Sequence, residues 1–388
     1  MRRAALAALG VAASAAIFAG CFDGTVRNPP GETAAGKQGD GGGRQGGGER
    51  GGDGKTGAGD GEGASGKAGN VSVAAVGDVA MGITPELPPS PQTYLDPIAG
   101  ELVGDVVFGN LEGTLTDVSE DVKCAGAEPG TCYAFRAPPE YAGYLSEAGF
   151  NAMSLANNHS YDFGEAGQQE TIRALEGAGI KPVGVPGRIP VAEAGPTTVA
   201  FLGFASYDYT NSLTDLESAR ALIRQARERS DVVVVAIHAG AEGSDATHVS
   251  GETEIYLGED RGNSEAFAHM AVEAGADLVL GSGPHVLRGM EIYRDRLIAY
   301  SLGNFSGFHN FGLEGILGVT VVLHVTLGPD GAFRSGRIAS ARMVEAGQPV
   351  PDPEEAGADL IAQLSAEDFP PSRAIRVGDD GRIEAPAG

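Results

Sequence analysis

Five short stretches of this 388-residue sequence hold side chains that can bind a metal ion or transfer a proton. Carboxylate, imidazole and amide oxygen together suit Mn, Fe or Zn, whereas Ca takes oxygen ligands. An ion of this kind can generate hydroxide and bind a phosphoryl group. The candidate residues are Asp78, Asn110, Glu112, Asn157, Asn158, His159, Asp162, His238, Glu242 and His285.

Each of these residues also has an explanation that involves no chemistry. An aspartate that follows a strand usually forms a turn or caps a helix, and this is the commoner explanation of Asp78 taken singly. Asn157 and Asn158 fit an ordinary turn, and His238 fits a core histidine with a hydrogen-bonded ring. Because five strand ends all offer metal-type ligands, the joint pattern favours a site. His269 lacks this context and is interpreted as a surface or packing residue.

The candidate residues follow short apolar runs that are typical of β-strands, with helical patterns between several of the runs. Strands are predicted at residues 71–76, 106–108, 152–155, 197–203, 232–238, 278–281, 297–301 and 315–325. Helices are predicted at residues 140–148, 165–178, 216–229 and 264–274. Strands that alternate with helices favour an α/β protein. Loops at the carboxyl ends of such strands converge on one crevice, which would gather the candidate side chains.

The later part of the sequence predicts antiparallel pairing as well. Residues 290–294 and 296–301 flank Asp295 and predict a hairpin, so we expect a mixed sheet or two packed sheets. We find no internal repeat and no Pro/Gly linker within residues 71–345, which we therefore expect to form one domain. Residues 346–388 are expected to be a C-terminal tail with a short helix over 353–365.

The N-terminal region predicts export. Residues 1–20 have a basic start and an apolar run that ends directly before Cys21, as in a bacterial secretory signal. This position predicts that Cys21 is lipidated and anchors the protein to the outside of the bacterial cell membrane; an ordinary signal peptide or a short membrane anchor is the alternative. Residues 31–70 contain 18 glycines, so residues 21–70 are expected to be a disordered tether.

The composition excludes several classes of protein. Acidic residues number 52 and basic residues 27, which gives a net charge of −25 and excludes a general nucleic-acid binder, since phosphates need a basic face. Three cysteines exclude a disulfide-dense scaffold. Cys124 and Cys132 enclose a short loop, and outside the cytoplasm such a pair predicts a disulfide, with two free thiols as the alternative.

The motifs, in their order along the chain, resemble the CapA family of capsule or poly-γ-glutamate biosynthesis proteins. The resemblance extends from residue 71 to about residue 325. It implies a branch of the calcineurin-like metallophosphatases and hence a four-layer α/β/β/α sandwich with mixed sheets. The matching segments are residues 75–81, 109–112, 155–164, 238–242, 281–286 and 300–305.

The resemblance also implies a role for each candidate residue. A first ion would be bound by Asp78, Glu112 and His285, and a second by Glu112, Asn158 and His238, so that Glu112 is the bridging carboxylate. His159 and Asp162 are assigned to catalysis, with His159 as the general acid. We assign substrate binding to Asn110, Asn157, Glu242 and Asn304. The cofactor would be one or two divalent ions of Mn, Fe or Zn.

Two positions depart from the pattern of the resemblance. Ala80 stands where metallophosphatases have a histidine two residues after the first aspartate, and Gly283 stands where CapA-like chains have the first of two histidines. Three protein ligands for each ion can suffice for an open catalytic site. The same departures also fit a site that has lost its chemistry.

Three functions are compatible with these features. The first is a surface lipoprotein of the CapA type that acts in the synthesis, export or retention of an anionic polymer such as poly-γ-glutamate. The second is a secreted metal-dependent phosphatase, phosphodiesterase or other hydrolase, and the third is a binding lipoprotein without catalysis. The expected partners are the membrane through Cys21, an anionic polymer or cell-envelope glycan, and capsule synthase membrane proteins. No nucleic-acid partner is expected.

Overall fold

The structure is a computed structural model that describes residues 68–128 and 131–386. The expected signal peptide, Cys21 and the glycine-rich segment up to residue 67 lie outside the described residues. None of the helices in the described ranges is long and apolar enough to cross a membrane.

Strands and helices alternate over most of the chain, as predicted. The strands of the first half are β1 (Val71–Ala80), β2 (Val106–Leu111), β3 (Thr114–Leu115), β4 (Arg136–Ala137), β5 (Ala152–Ser154), β6 (Lys181–Val183), β7 (Val191–Ala194), β8 (Thr197–Ala205) and β9 (Asn211–Ser212). The strands of the second half are β10 (Val232–His238), β11 (Ile255–Tyr256), β12 (Glu259–Asp260), β13 (Leu278–Ser282), β14 (Met290–Tyr293), β15 (Arg296–Ala299), β16 (Asn304–Gly307), β17 (Val319–Leu327), β18 (Phe333–Val344), β19 (Gln348–Pro351), β20 (Arg376–Val377) and β21 (Arg382–Glu384). The helices are α1 (Tyr141–Glu147), α2 (Gly164–Gly177), α3 (Leu216–Arg227), α4 (Ser264–Ala274) and α5 (Ala356–Asp368).

Two mixed sheets form the centre of the fold. The first has ten strands in the order β20-β21-β18-β17-β1-β2-β5-β6, with β16 paired to β1 and β19 to β18. The second has seven strands in the order β14-β15-β13-β10-β8-β7, with β9 paired to β8. β1, β2, β5 and β6 run parallel, as do β8, β10, β13 and β15, whereas β14 and β15 form the predicted antiparallel hairpin.

The alternation of side chains along the strands fixes the layers. Val73 of β1 and Phe201 of β8 belong to one apolar cluster that lies between the two sheets. Their neighbours Ala74 and Leu202 point to the opposite faces, as the period of two in a strand requires. Ala74 packs in a cluster with residues of α1 and α2, and Leu202 packs in a cluster with residues of α3 and α4. The order helices, sheet, sheet, helices confirms the predicted four-layer α/β/β/α sandwich.

The C-terminal segment corrects our expectation of a tail after residue 345. β19 and β21 both pair with β18, and β20 pairs with β21, so this segment supplies three strands of the first sheet. The helix expected over 353–365 is α5, and its Ile361 is buried in the cluster between the sheets. Strands of two to four residues carry too little periodic signal to be recognised in a sequence.

β1 extends beyond its predicted end at residue 76 to Ala80, because Gly77 allows another segment to approach. A Cβ atom at Gly77 would lie 1.8 Å from the carbonyl oxygen of Gly303. The next residue, Asp78, donates its N–H to that same oxygen at 2.9 Å. The segment that leads into β16 therefore lies directly against the end of β1. This contact holds Asp78 inside the strand instead of in the loop that we expected.

Candidate metal centre

The two parallel sets of strands bring the candidate residues to one edge of the sandwich. In the first sheet, Asp78 of β1 is paired with Asn110 of β2, and Asn110 is paired with Ser154 of β5. In the second sheet, His238 at the end of β10 is paired with Ser282 at the end of β13. Because these are the carboxyl ends of the strands, the loops that follow them carry the remaining candidates to the same place.

The first predicted group of ligands lies together. Asp78, Glu112 and His285 each offer one ligand atom, and these atoms lie within 4.8 Å of one another. The Nδ1 atom of His285 is 3.2 Å from Oδ2 of Asp78, and its Nε2 atom is 3.6 Å from Oε1 of Glu112. Both carboxylates are 0% exposed. Two buried acids around a histidine form a group that is compatible with a divalent cation.

The second predicted group is marked by buried polar atoms that lack hydrogen bonds. Both carboxylate oxygens of Glu112, Oδ1 of Asn158 and Nε2 of His238 have no hydrogen-bond partner among the described residues. A buried polar atom without a partner costs about 1–3 kcal/mol, so such atoms are rare in native proteins. Each of these atoms is of a type that can bind a cation. The residues present therefore fit a bound divalent metal.

The hydrogen bonds of His238 leave one ring nitrogen ready for a metal. Its Nδ1 atom is 3.1 Å from Oγ of Ser282, and that hydroxyl donates to the carbonyl oxygen of Ile237 at 3.3 Å. The Ser282 oxygen therefore accepts from Nδ1–H, which leaves the lone pair on Nε2. Burial and the nearby charge of Arg261 hold the pKa of His238 well below its usual range. The ring is thus neutral, as a metal ligand must be.

The pKa values of Glu112 and His285 are both raised, but for different reasons. Burial raises the pKa of Glu112 well above its usual range, and the neighbouring carboxylates Asp78 and Glu242 raise it further. Burial alone would lower the pKa of His285, but the facing acids, Glu112 foremost, raise it well above the ordinary value. The protein without a cation therefore holds protons on groups that a metal would displace.

Three of the residues for which we predict substrate binding form hydrogen bonds at the ligands. Asn110 donates its Nδ2–H to Oδ1 of Asp78 at 2.8 Å, and Asn157 donates to Oδ1 of Asn110 at 3.0 Å. The Oδ1 atom of Asn304 lies 2.8 Å from Nδ1 of His285. All three side chains are buried, and their polar groups are engaged. The position of a residue at a strand end does not show whether its side chain binds the metal or orients another side chain that does.

His159 and Asp162, the residues assigned to catalysis, contact each other. Nδ1 of His159 lies 2.8 Å from Oδ2 of Asp162, which also accepts the N–H of Phe135 at 2.7 Å. The ring of Phe135 stacks on His159 with centroids 4.0 Å apart. Lys123 lies 3.2 Å from the other oxygen of Asp162 and donates to the carbonyl oxygen of Asn158 at 3.1 Å. Burial, assisted by the charge of Lys123, lowers the pKa of His159.

Lys123 and Phe135 are functional candidates that the sequence did not reveal. They flank the loop closed by Cys124 and Cys132, which form a disulfide in the structure. The predicted disulfide therefore closes a loop next to the site, because the residues that flank this loop contact His159 and Asp162. The basic residue directly before Cys124 was the only available signal.

A cavity of about 220 Å³ opens beside Asn158 and Asp162. Three stacked tyrosines form much of its wall, together with Lys123 and Arg261. Tyr161 stacks on Tyr209 with centroids 4.9 Å apart, and Tyr209 stacks on Tyr207 with centroids 5.5 Å apart. Arg261 was also not recognised in the sequence, since its loop carries no periodic pattern. The cavity gives a substrate a place next to the second group of ligands.

A second cluster of acids and histidine lies on the α4 side of the second sheet. His269, interpreted as a packing residue, places Nε2 2.6 Å from Oε1 of Glu291. Glu265 belongs to the same group. Arg373 already supplies a positive charge there, at 3.1 Å from Glu291 and 3.3 Å from Glu265. The cluster is therefore an ion-pair network that contributes to the fold. This agrees with the interpretation of His269 as a packing residue.

Arg288 is buried and paired. It donates two hydrogen bonds to the carboxylate of Glu254, at 2.8 and 2.7 Å. Its charge is therefore neutralised within the fold, and it ties the loop after β10 to the segment that follows His285.

Comparison with solved structures shows only distant likeness. A 5′-nucleotidase precursor from Thermus thermophilus is 12% identical in sequence, with a TM-score of 0.39. The superposition covers 77% of this chain and 59% of that protein. At this TM-score the likeness carries no functional conclusion.

Two relatives share more of the sequence. The capsule biosynthesis protein CapA of Bacillus anthracis is 32% identical over 181 residues, which are 42% of this chain and 41% of that protein. The PGA biosynthesis protein CapA of Bacillus subtilis (strain 168) is 28% identical over 258 residues, which are 61% of this chain and 63% of that protein. The chain thus spans about half the length of these relatives.

The family comparison covers the site. The sequence model described as "Bacterial capsule synthesis protein PGA_cap" matches residues 72–307, which is more than half of the chain and includes every candidate ligand. The predicted resemblance is therefore confirmed, and the chain belongs to the CapA family of bacterial capsule synthesis proteins.

Proposed function

We propose that this protein acts outside the cytoplasm in the synthesis, export or retention of an anionic capsule polymer such as poly-γ-glutamate, and that it does so with a metal-dependent hydrolase centre. Membership of the capsule synthesis family supports the first part. The second part is carried by one observation, the buried ligand atoms of Glu112, Asn158 and His238 that lack hydrogen-bond partners.

The proposed metal ligands are Asp78, Glu112, Asn158, His238 and His285, with Mn, Fe or Zn as the ion. When bound, such an ion supplies a hydroxide nucleophile and stabilises charge on the bond under attack. The chain itself supplies a group that can transfer a proton. Nδ1 of His159 contacts Asp162, so Nε2 is the atom that exchanges a proton with the substrate. Because the lowered pKa keeps the ring neutral, Nε2 first takes a proton from the attacking water and then passes it to the leaving group.

The immediate surroundings of the centre support an anionic substrate in spite of the net charge of −25. Lys123 and Arg261 both line the cavity beside Asn158. Local fields at a cleft depend on the nearby groups and not on the total charge. Asp162 and Glu259 line the same cavity and pair with Lys123 and Arg261, so a divalent ion would supply the positive charge that an anionic substrate needs.

We further propose that Cys21 carries the lipid that holds the protein at the outer face of the cell membrane. Capsule synthase membrane proteins are the proposed partners there.

Hydrolysis of a phosphate ester is a second candidate, because the two ligand groups share Glu112. Two ions bridged by one carboxylate form the arrangement that phosphatases and nucleases use, although some aminopeptidases use it too. The bond that is cleaved therefore has to be decided by assay.

The test is to purify the full chain in detergent, determine its metal content, and assay poly-γ-glutamate and a phosphate monoester in parallel. We expect Mn, Fe or Zn in the wild type, loss of that metal in Asp78→Ala and His238→Ala, and turnover of one substrate class that is lost with the metal. A wild-type protein that binds no metal when the ions are offered in excess would overturn the proposed centre. Binding of the polymer without cleavage of either substrate would leave the capsule role and remove the hydrolase.

A further inference from the structure

We propose that Glu242 is a fourth protein ligand of the ion held by Asp78, Glu112 and His285, in the place of the histidine that the family pattern has where this chain has Gly283. This inference rests on the proposed metal centre and names a ligand that the sequence assigned to substrate binding.

The orientation of His285 places Glu242 at the ion. The Nδ1 side of the ring is engaged, because it lies 2.8 Å from Oδ1 of Asn304 and 3.2 Å from Oδ2 of Asp78. Its Nε2 atom faces two carboxylates, Oε1 of Glu112 at 3.6 Å and Oε2 of Glu242 at 3.7 Å. Two ligands that each lie ~2.1 Å from one tetrahedral ion are ~3.4 Å apart. Both separations are close to this spacing. Glu242 would also have to move towards Asp78 and Glu112, because it is not in the group of three whose ligand atoms lie within 4.8 Å of one another.

The absence of a side chain at Gly283 explains why Glu242 is there. Gly283 has a φ of +113°, and a Cβ atom on it would lie 3.0 Å from the backbone nitrogen and 3.2 Å from the carbonyl oxygen of Ala239. The loop after β10 lies against this segment, since Gly243 donates its N–H to the carbonyl oxygen of Pro284 at 3.0 Å. A side chain at 283 would be strained at this positive φ and would require the loop to shift slightly, whereas glycine lets the loop and its carboxylate lie in place.

Glu242 is held in a fixed position. Its Oε1 atom forms an ion pair with Nη1 of Arg261 at 3.0 Å, and only Oε2 faces His285. Arg261 itself lies over the rings of Tyr207 and Tyr256 and forms a second ion pair with Glu259 at 3.0 Å. Metal ligands in proteins are commonly oriented in this way, by a fixed partner that binds the atom not facing the metal.

A role in substrate binding suits Glu242 less well. Its side chain is only 16% exposed, and it faces the buried acid Glu112 across His285. A carboxylate in this position repels an anionic substrate, but it adds to the negative charge that attracts a cation.

The experiment is a calorimetric titration of the full-length protein with Mn²⁺ after removal of metal with EDTA. We compare the wild type with Glu242→Gln and with the control Glu259→Gln. Both substitutions remove an acidic partner of Arg261, but only Glu242 faces His285. Loss of a group that orients a ligand costs about 10–100-fold in affinity, so loss of a ligand is expected to weaken one Mn²⁺ site by about 100-fold or more. Glu259→Gln is expected to change affinity by less than about threefold, because it leaves every ligand in place.

The outcomes separate this inference from the proposed function. If the wild type binds Mn²⁺ and Glu242→Gln binds it as tightly as Glu259→Gln does, Glu242 is not a ligand and the proposed centre stands without it. If the wild type binds no Mn²⁺, the centre itself is overturned. A third variant, Glu242→Asp, keeps the charge and shortens the side chain. It is expected to weaken the same site, and unchanged affinity in Glu242→Asp together with a misfolded Glu242→Gln would overturn the inference.

Discussion

Replacing Glu112 by methionine is expected to stabilise the metal-free protein and to abolish its response to metal. Glu112 is 0% exposed, and neither of its carboxylate oxygens has a hydrogen-bond partner among the residues that the structure describes. Burial raises its pKa well above the usual range, so without a cation the fold must either bury a charge or hold a proton. A methionine of similar length removes that cost.

The magnitude follows from the contacts that remain. An unsatisfied buried polar group costs about 1–3 kcal/mol. His285 loses Glu112 at 3.6 Å but keeps Asp78 at 3.2 Å and Asn304 at 2.8 Å, so its ring is not left without a partner. We therefore expect Glu112→Met to gain about 1–3 kcal/mol in EDTA. This corresponds to a rise of about 2–6 °C in melting temperature.

Adding metal is expected to make the wild type more stable than Glu112→Met. A ligand at about 1,000 times its dissociation constant stabilises the native state by about 4.1 kcal/mol, which exceeds the gain of Glu112→Met, and only the wild type would gain this. The assay is thermal and urea unfolding of both proteins, in EDTA and in Mn²⁺. A metal-free Glu112→Met protein that is less stable than wild type by more than about 1 kcal/mol would refute the reasoning, because the carboxylate would then be contributing stability without a cation.

Glu254→Met is the matched control for this prediction. Glu254 is also a largely buried acid near the site, but it forms two hydrogen bonds with Arg288, which is 0% exposed. Its removal leaves a buried guanidinium without a counter-charge, which costs about 3–5 kcal/mol. The two substitutions are therefore expected to change stability in opposite directions in EDTA.

Three further outcomes are expected. Metal affinity falls as pH falls, because the raised pKa values of Glu112 and His285 mean that each ion must displace protons; titration in buffers of different ionisation enthalpy measures their number. Lys123→Met lowers turnover by about 10–100-fold with metal content unchanged, since Lys123 lies 3.0 Å from Nδ1 of His159 and holds the general acid; parallel assays of turnover and metal content check this. Gly77→Ala lowers the free energy of unfolding by at least about 2 kcal/mol, because its Cβ would lie 1.8 Å from a backbone oxygen; urea unfolding measures it.

The sequence predicted the layers well because the buried strands are long and apolar. The strand predicted at residues 232–238 is β10, and the helix predicted at 264–274 is α4, each with the predicted bounds. The short strands β19, β20 and β21 were missed, since two to four residues give no period to detect. Pairing with the long strand β18, directly or through β21, is what makes them strands.

Within the site, the sequence identified chemical types better than positions. Asp78, Glu112 and His285 lie together because the carboxyl ends of parallel strands meet at one edge. The roles of Asn110 and Glu242 depend on which atom of a neighbour each side chain faces, and spacing along the chain carries no such information. Arg261 comes from a loop without periodicity, so only the fold brings it to the cavity.

The most direct test of the metal centre is a crystal structure of the protein soaked in Mn²⁺, with anomalous differences measured at a wavelength where manganese scatters strongly. We predict anomalous density in contact with Glu112, with one peak between Asp78 and His285 and, where both positions fill, a second near Asn158 and His238. Ordered protein at these residues without an anomalous peak, at Mn²⁺ concentrations that saturate known manganese enzymes, would contradict the account.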